Sequence, residues 1–213
     1  MAVFRAITAE EEAASGLMRC LSELYYPRSN ELNPRDHVHK HAVFPFMEIL
    51  GLFFGQTIGK NFQRFELHIE EDDGEARLAL ALRFSVLGED RLVCPIPPLN
   101  FGVSVLDSAE AVDYARQITE FTKIKGVLSV KAFLKNEANL RNKILYAGPD
   151  GYPVVQDLKC SFVEERRRRV LSMLNLYLLI FPCKEHQLYV VQALTAFVDL
   201  LKGLKKRASK HEN

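Results

Sequence analysis

Apolar residues along this chain repeat first at helical spacing, then in strict alternation, then at helical spacing again. Ala14, Leu17, Leu21 and Leu24 recur every three or four residues, the one-sided stripe of an amphipathic helix. Thr8 and Glu11 have the spacing of a capping box, in which hydroxyl and carboxylate satisfy amide groups at a helix start, so this helix is expected from Thr8 to about Tyr25. Glu10 falls on the apolar stripe one turn before Ala14, and a carboxylate on a buried face needs a partner. After a loop at 27–33, Asn33-Pro34 resembles an N-cap followed by a first-turn proline. That predicts a second helix carrying His37, His39 and His41 and running through Phe46, Ile49, Leu50 and Phe53 to about Gly55, kinked or divided at Pro45.

From Arg64 the period is two. Phe65, Leu67 and Ile69 alternate with Glu66, His68 and Glu70; Asp72-Asp73-Gly74 turns the chain; Ala76, Leu78, Leu80, Leu82 and Phe84 resume the alternation. This is a β-hairpin. Residues 92–96 and 101–106 are expected to add a third and a fourth strand, confined to an edge or bulge by Pro95, Pro97 and Pro98. Helical spacing returns afterwards. Asp107 with Glu110 caps a predicted helix at 107–122, another is expected from Asn136, Gly148-Pro149-Asp150-Gly151 marks a turn, and Ser161 with Glu164 opens the last two long helices. The pattern predicts an α+β chain, predominantly helical: a helical bundle with an inserted β-hairpin or small antiparallel sheet. At 213 residues it reads as a single domain, 1–213, with 62–106 as the insertion.

Composition narrows the choice of partners. Lys and Arg total 28 against 27 acidic residues, so no global field gathers nucleic acid or an anionic membrane, and any polyanion site must be local. The apolar stretches 170–181 and 188–201 fall short of the roughly 20 residues a spanning helix needs, so no membrane partner is expected. Cys20, Cys94, Cys160 and Cys183 form no Cys-x-x-Cys pair, and the acidic run Glu10-Glu11-Glu12 follows the start directly where a signal peptide would be apolar; a cytoplasmic location is the expectation. Residues 51–59 hold three glycines without a following Lys-Ser/Thr or a preceding strand, so no dinucleotide or phosphate loop is expected. In Glu164-Glu165-Arg166-Arg167-Arg168-Arg169 opposite charges sit four apart, predicting a solvated, self-paired helix surface.

The chemistry concentrates in Asn33-Pro-Arg-Asp-His-Val-His-Lys-His. It holds half of the six histidines, the side chains best suited to bind metal or move protons near neutral pH. On a helix His37 and His41 share a face, Glu48 returns to it, and His39 points elsewhere. Two imidazoles with a carboxylate suit a divalent metal such as zinc; His37, His41 and Glu48 form the candidate set, with Glu10 or Glu11 as further donors if helix one packs alongside. No organic cofactor is expected. The other chemistry is phosphodiester cleavage in RNA, with a histidine transferring the proton and Arg35, Lys40 or Arg141 steadying the phosphate charge.

Three blocks carry a family likeness: Ala9-Glu-Glu-Glu-Ala-Ala-Ser-Gly-Leu, Asp36-His-Val-His-Lys-His-Ala, and Leu140-Arg-Asn-Lys-Ile-Leu-Tyr-Ala-Gly-Pro-Asp-Gly-Tyr-Pro. The series resembles the AbiV-type abortive infection proteins, a branch of the HEPN helical superfamily. The resemblance implies a bacterial protein of stress or phage defence that binds or cleaves RNA. Many HEPN ribonucleases carry an arginine four to six residues before a histidine in a late helix; here Arg35 and His41 have that spacing early in the chain, while the late block pairs Arg141 with Tyr146. The expected catalytic residues are therefore Arg35, His37 and His41, supported by Glu10, Glu11, Lys40, Arg141 and Tyr146. A non-catalytic interaction domain is the rival expectation, in which the apolar alternation of the hairpin forms a homodimer or partner surface.

Overall fold

The computed structural model describes residues 2–57, 61–72, 74–101 and 160–208, together with 116, 120, 132–134 and 136. It is predominantly helical with one small antiparallel sheet, as the periodicity predicts. Helix α1 spans Ala2–Glu23. The capping box expected at Thr8 is not used: Val3 and Ile7 are buried and carry the apolar stripe a further two turns upstream, so Thr8 lies inside the helix. Glu11 consequently turns to a neighbouring helix instead of its own amides.

Helix α2 spans His37–Thr57 and is one uninterrupted helix through Pro45, rather than two. Its cap is Asp36, not Asn33. The Asp36 carboxylate accepts from the Val38 amide at 2.8 Å, while the Asn33 side-chain oxygen accepts from the Arg35 amide at 3.0 Å and shapes the turn before the helix. Arg35 thus precedes α2 and shares no helical phase with His41. The Ser15 hydroxyl donates to the Pro34 carbonyl at 3.1 Å, tying this turn to α1.

The sheet has the order β1-β2-β3, from Phe62–Asp72, Glu75–Val86 and Glu89–Val93. Phe65, Leu67 and Ile69 of β1 stand opposite Leu82, Leu80 and Leu78 of β2, so the predicted alternation gives one apolar face. Leu80 and Leu82 enter the main core. Leu87 and Gly88, both in the left-handed region with φ of 56° and 82°, make the tight turn into β3, and two consecutive positive φ values match the twist of the strands they join. The third strand was expected at 92–96. It ends instead at Val93, ahead of Pro95, Pro97 and Pro98, which have no amide to offer a ladder.

Helices α3, Cys160–Ile180, and α4, Leu188–Ala208, complete the described fold. The core runs from Leu17, Met18 and Leu21 of α1 through Phe46, Ile49 and Phe53 of α2 to Met173 and Ile180 of α3 and Leu194, Phe197 and Leu201 of α4. Gln187, fully buried, pins the segment after β3 to this bundle: it accepts from the Leu99 amide at 2.6 Å and donates to the Leu179 carbonyl at 2.9 Å. Residues 116, 120, 132–134 and 136 are helical. Phe101, where the fourth strand was expected to begin, is not in a strand; the remainder of that strand at 102–106, the rest of the predicted 107–122 helix, Arg141, Tyr146 and the turn at 148–151 lie outside the described residues. Among the described residues no helix is long and apolar enough to cross a membrane.

Candidate functional site

Two consecutive carboxylates on α1 organise the polar interior. A helix turns about 100° per residue, so Glu10 and Glu11 must face different neighbours. Glu10 faces α3 and Glu11 faces α2.

Glu10 is 2% exposed and receives two guanidiniums: Arg166 Nη1 lies 2.5 Å from Oε2, and Arg169 Nη1 lies 3.4 Å from Oε1. The arginine run is therefore not the uniformly solvated surface expected from its charge pattern. Arg166 and Arg169 lie on the α3 face that continues into Met173 and Ile180, all four buried, whereas Arg167 and Arg168 are exposed. Aromatic rings line the buried pair: Arg166 lies over Phe162, and Arg169 over Phe44 and Phe133, with 4.9–5.0 Å to each ring centre.

Glu11 gathers three basic groups from the first turns of α2. Its Oε1 lies 3.1 Å from His37 Nδ1 and 3.0 Å from His41 Nε2, and its Oε2 accepts from Lys40 Nζ at 2.9 Å. Burial alone would push this carboxyl up, but the Lys40 hydrogen bond and the charges of His41, Lys40 and His37 outweigh it and hold the group below its ordinary 4.5. His41 is buried, whereas the His37 side chain is 45% exposed at the mouth of the cluster. With Nδ1 on the carboxylate, the outer ring nitrogen of His37, Nε2, has no partner among the described residues. His39 points elsewhere, as expected. It is buried with Nδ1 accepting from the Asn33 amide at 3.0 Å, which fixes its tautomer and makes it a brace for the turn before α2.

The carboxylate that joins the histidines is thus Glu11 rather than Glu48. Eleven helical residues return Glu48 to the face of His37, but they also carry it roughly 16 Å along the axis, beyond reach of a shared ion. Glu48 meets Arg168 at 3.3 Å instead. Glu11, His37 and His41 can hold a metal ion: one ligand atom from each lies within 4.8 Å of the others. Tetrahedral zinc with bonds of about 2.1 Å spaces its ligand atoms about 3.4 Å apart, close to the 3.1 and 3.0 Å separations of the two imidazole nitrogens from Oε1. Lys40 would then keep the second carboxylate oxygen, leaving Oε1 as the single donor. Its ammonium charge opposes a cation so close by, which sets against the favourable spacing.

Of the expected residues, Glu11, Lys40, His37 and His41 converge on one point, Glu10 belongs to the adjoining arginine pair, and Arg35 is exposed just ahead of α2. The roles of Arg166 and Arg169 were missed. Their three-residue spacing, in phase with Met173 and Ile180, was the available signal. Comparisons of the chain with family models, curated proteins and solved structures give no match.

Proposed function

We propose that this is an AbiV-like, HEPN-related protein of bacterial stress or phage defence, acting in the cytoplasm on RNA through the Glu11–His37 pair. The supporting observation is the half-exposed His37 imidazole whose Nδ1 rests 3.1 Å from a buried carboxylate. A carboxylate so placed fixes the tautomer and ring orientation and stabilises the imidazolium that forms when Nε2 takes a proton, the arrangement general-base catalysis requires. In RNA cleavage Nε2 accepts the proton of the attacking 2′-hydroxyl as its oxygen bonds to phosphorus. The bond to the 5′-oxygen breaks, and that oxygen is protonated from solvent. Arg35, exposed in the turn just before the same helix, is the candidate for the phosphate charge. His41 is too enclosed to meet a polymer directly and acts by holding Glu11. The proton-transfer role expected jointly of His37 and His41 is therefore assigned to His37.

The test is cleavage of mixed RNA by the purified full chain. His37→Ala should slow cleavage by about 10²–10⁴-fold with folding intact, the usual share of general acid–base catalysis. Inert wild-type protein, or a His37→Ala variant that cuts equally well, ends this reading.

A second reading has its own observation, the close approach of one donor atom from each of Glu11, His37 and His41. In it these three residues hold a divalent cation such as zinc, with the remaining coordination positions open to water or substrate. Protein purified without a histidine tag would then carry one metal per chain, lost in His37→Ala/His41→Ala. Metal-free protein that binds no added zinc at equimolar concentration removes it. Cleavage that persists in chelator separates the first reading from the second.

A further inference from the structure

Strand β1 is an edge strand: it pairs with β2 on one side, and among the described residues no strand lies on the other. A long edge with free amides and carbonyls is a template for another chain, which folded proteins commonly blunt with proline, bulges or unmatched charge. Here the only irregularity is at the start, between Phe62 and Arg64. On the apolar face Phe65, Leu67 and Ile69 are 38%, 44% and 74% exposed, although Leu82 and Leu80 opposite the first two are buried. The apolar surface thus runs outward from the core to the free edge and stops there.

The order of side chains along that edge is its own complement. We propose that β1 pairs antiparallel with β1 of a second copy about a two-fold axis at Leu67, joining two three-stranded sheets into one of six strands. In this register Leu67 faces Leu67, Phe65 faces Ile69, Glu66 faces His68 and Arg64 faces Glu70 of the second copy. Every apolar residue of the paired stretch 64–70 meets an apolar residue, and every carboxylate meets a basic group.

Neighbouring registers fail. A two-fold at Glu66 sets Glu66 against itself, and one at His68 sets Glu66 against Glu70 and Phe65 against Glu71. Like charges directly opposite are destabilising in a sheet, so the charges along this edge disfavour both adjacent alignments and favour the one centred on Leu67. The ends of the charged row are accessible, with the Arg64 and Glu70 side chains 65% and 51% exposed. The occupant is thus a second copy of this chain. The inference is independent of the histidine cluster.

Sedimentation equilibrium of the full chain should show a dimer. Arg64→Glu and Glu70→Arg each place two like-charged pairs across the axis, and either should weaken dimerisation by about tenfold or more. Mixing the two variants should restore it as a heterodimer. The carboxylate introduced at position 64 of one chain then faces the guanidinium introduced at position 70 of the other, and the unchanged Glu70 of the first faces the unchanged Arg64 of the second. Both positions are exposed, so the monomers should keep wild-type circular dichroism. In a Cys94→Ser background, Leu67→Cys should form a disulfide-linked dimer under mild oxidation, since directly opposite residues fall within disulfide reach, whereas Ile69→Cys alone should not. A wild-type monomer at high micromolar concentration, a dimer indifferent to both charge changes, or variants that fail to recombine would overturn the proposal.

Discussion

Replacing Glu10 by alanine gives the sharpest test of how this interior is held together. The carboxylate is 2% exposed, and the side chains that reach it, Arg166 and Arg169, are 4% and 11% exposed. Truncation removes the anion but leaves the two cations where water cannot easily solvate them. A buried hydrogen bond to a charged group contributes about 1.5–3 kcal/mol. The 2.5 Å contact from Arg166 should take the upper part of that range, and the 3.4 Å contact from Arg169 little. Breaking a buried ion pair from one side usually costs more than the hydrogen bond itself, which puts the expected loss at about 3–5 kcal/mol. With a urea dependence of about 2 kcal/mol per molar, the unfolding midpoint should fall by about 2 M.

The same reasoning makes the loss non-additive. Arg166→Ala leaves the carboxylate only the 3.4 Å contact from Arg169, so each single change removes the same 2.5 Å contact, which the sum of the singles counts twice. Glu10→Ala/Arg166→Ala should therefore be less destabilised than the sum of the singles, by about 2–3 kcal/mol. Glu10→Gln, which keeps the shape and one acceptor, should fall between wild type and alanine. Equilibrium urea unfolding of the four proteins measures all of this. A Glu10→Ala loss below about 1 kcal/mol, with additive singles, would mean the pair behaves like a solvated surface bridge, and the account of the interior would be wrong.

Two further outcomes follow from neighbouring residues. Because the folded Glu11 carboxyl is held below its ordinary 4.5, its contribution to stability is fully present above that pH and is lost as pH falls through the lower folded value. The stability difference between wild type and Glu11→Gln should therefore shrink as pH falls below about 4.5; a difference that does not shrink down to pH ~3 would contradict it. Asp36→Ala removes the cap on the Val38 amide and should cost about 1 kcal/mol, whereas Asn33→Ala leaves that amide satisfied. Equal losses from the two in thermal unfolding would return the cap to Asn33.

Local periodicity made the larger elements legible. Ala14, Leu17 and Leu21 marked α1, and the alternation through Phe65 and Leu80 marked the hairpin with its face correctly assigned. End signals were less faithful, because the residue types that cap helices also serve other purposes. Thr8 and Glu11 had cap spacing, yet an apolar stripe continuing to Val3 extended α1 past them; Asn33 shaped a turn while Asp36 took the helix. The candidate site shows the same division. That His37 and His41 share a face, and that Glu10 on an apolar stripe needs a partner, follow from helical phase within one segment. Which carboxylate meets the histidines does not. Glu48 has the right azimuth and the wrong height, while Glu11 lies 26 residues from His37 and reaches it only because α1 packs between α2 and α3. Phase along a single helix fixes direction; it takes the packing of a second helix to fix distance. The consecutive pair Glu10-Glu11 is where the two meet, since a 100° step between neighbours lets one helix neutralise α3 with one carboxylate and orient the histidines of α2 with the next. Any change that rotates α1, even one far from both carboxylates, should therefore disturb the arginine pair and the histidine cluster together.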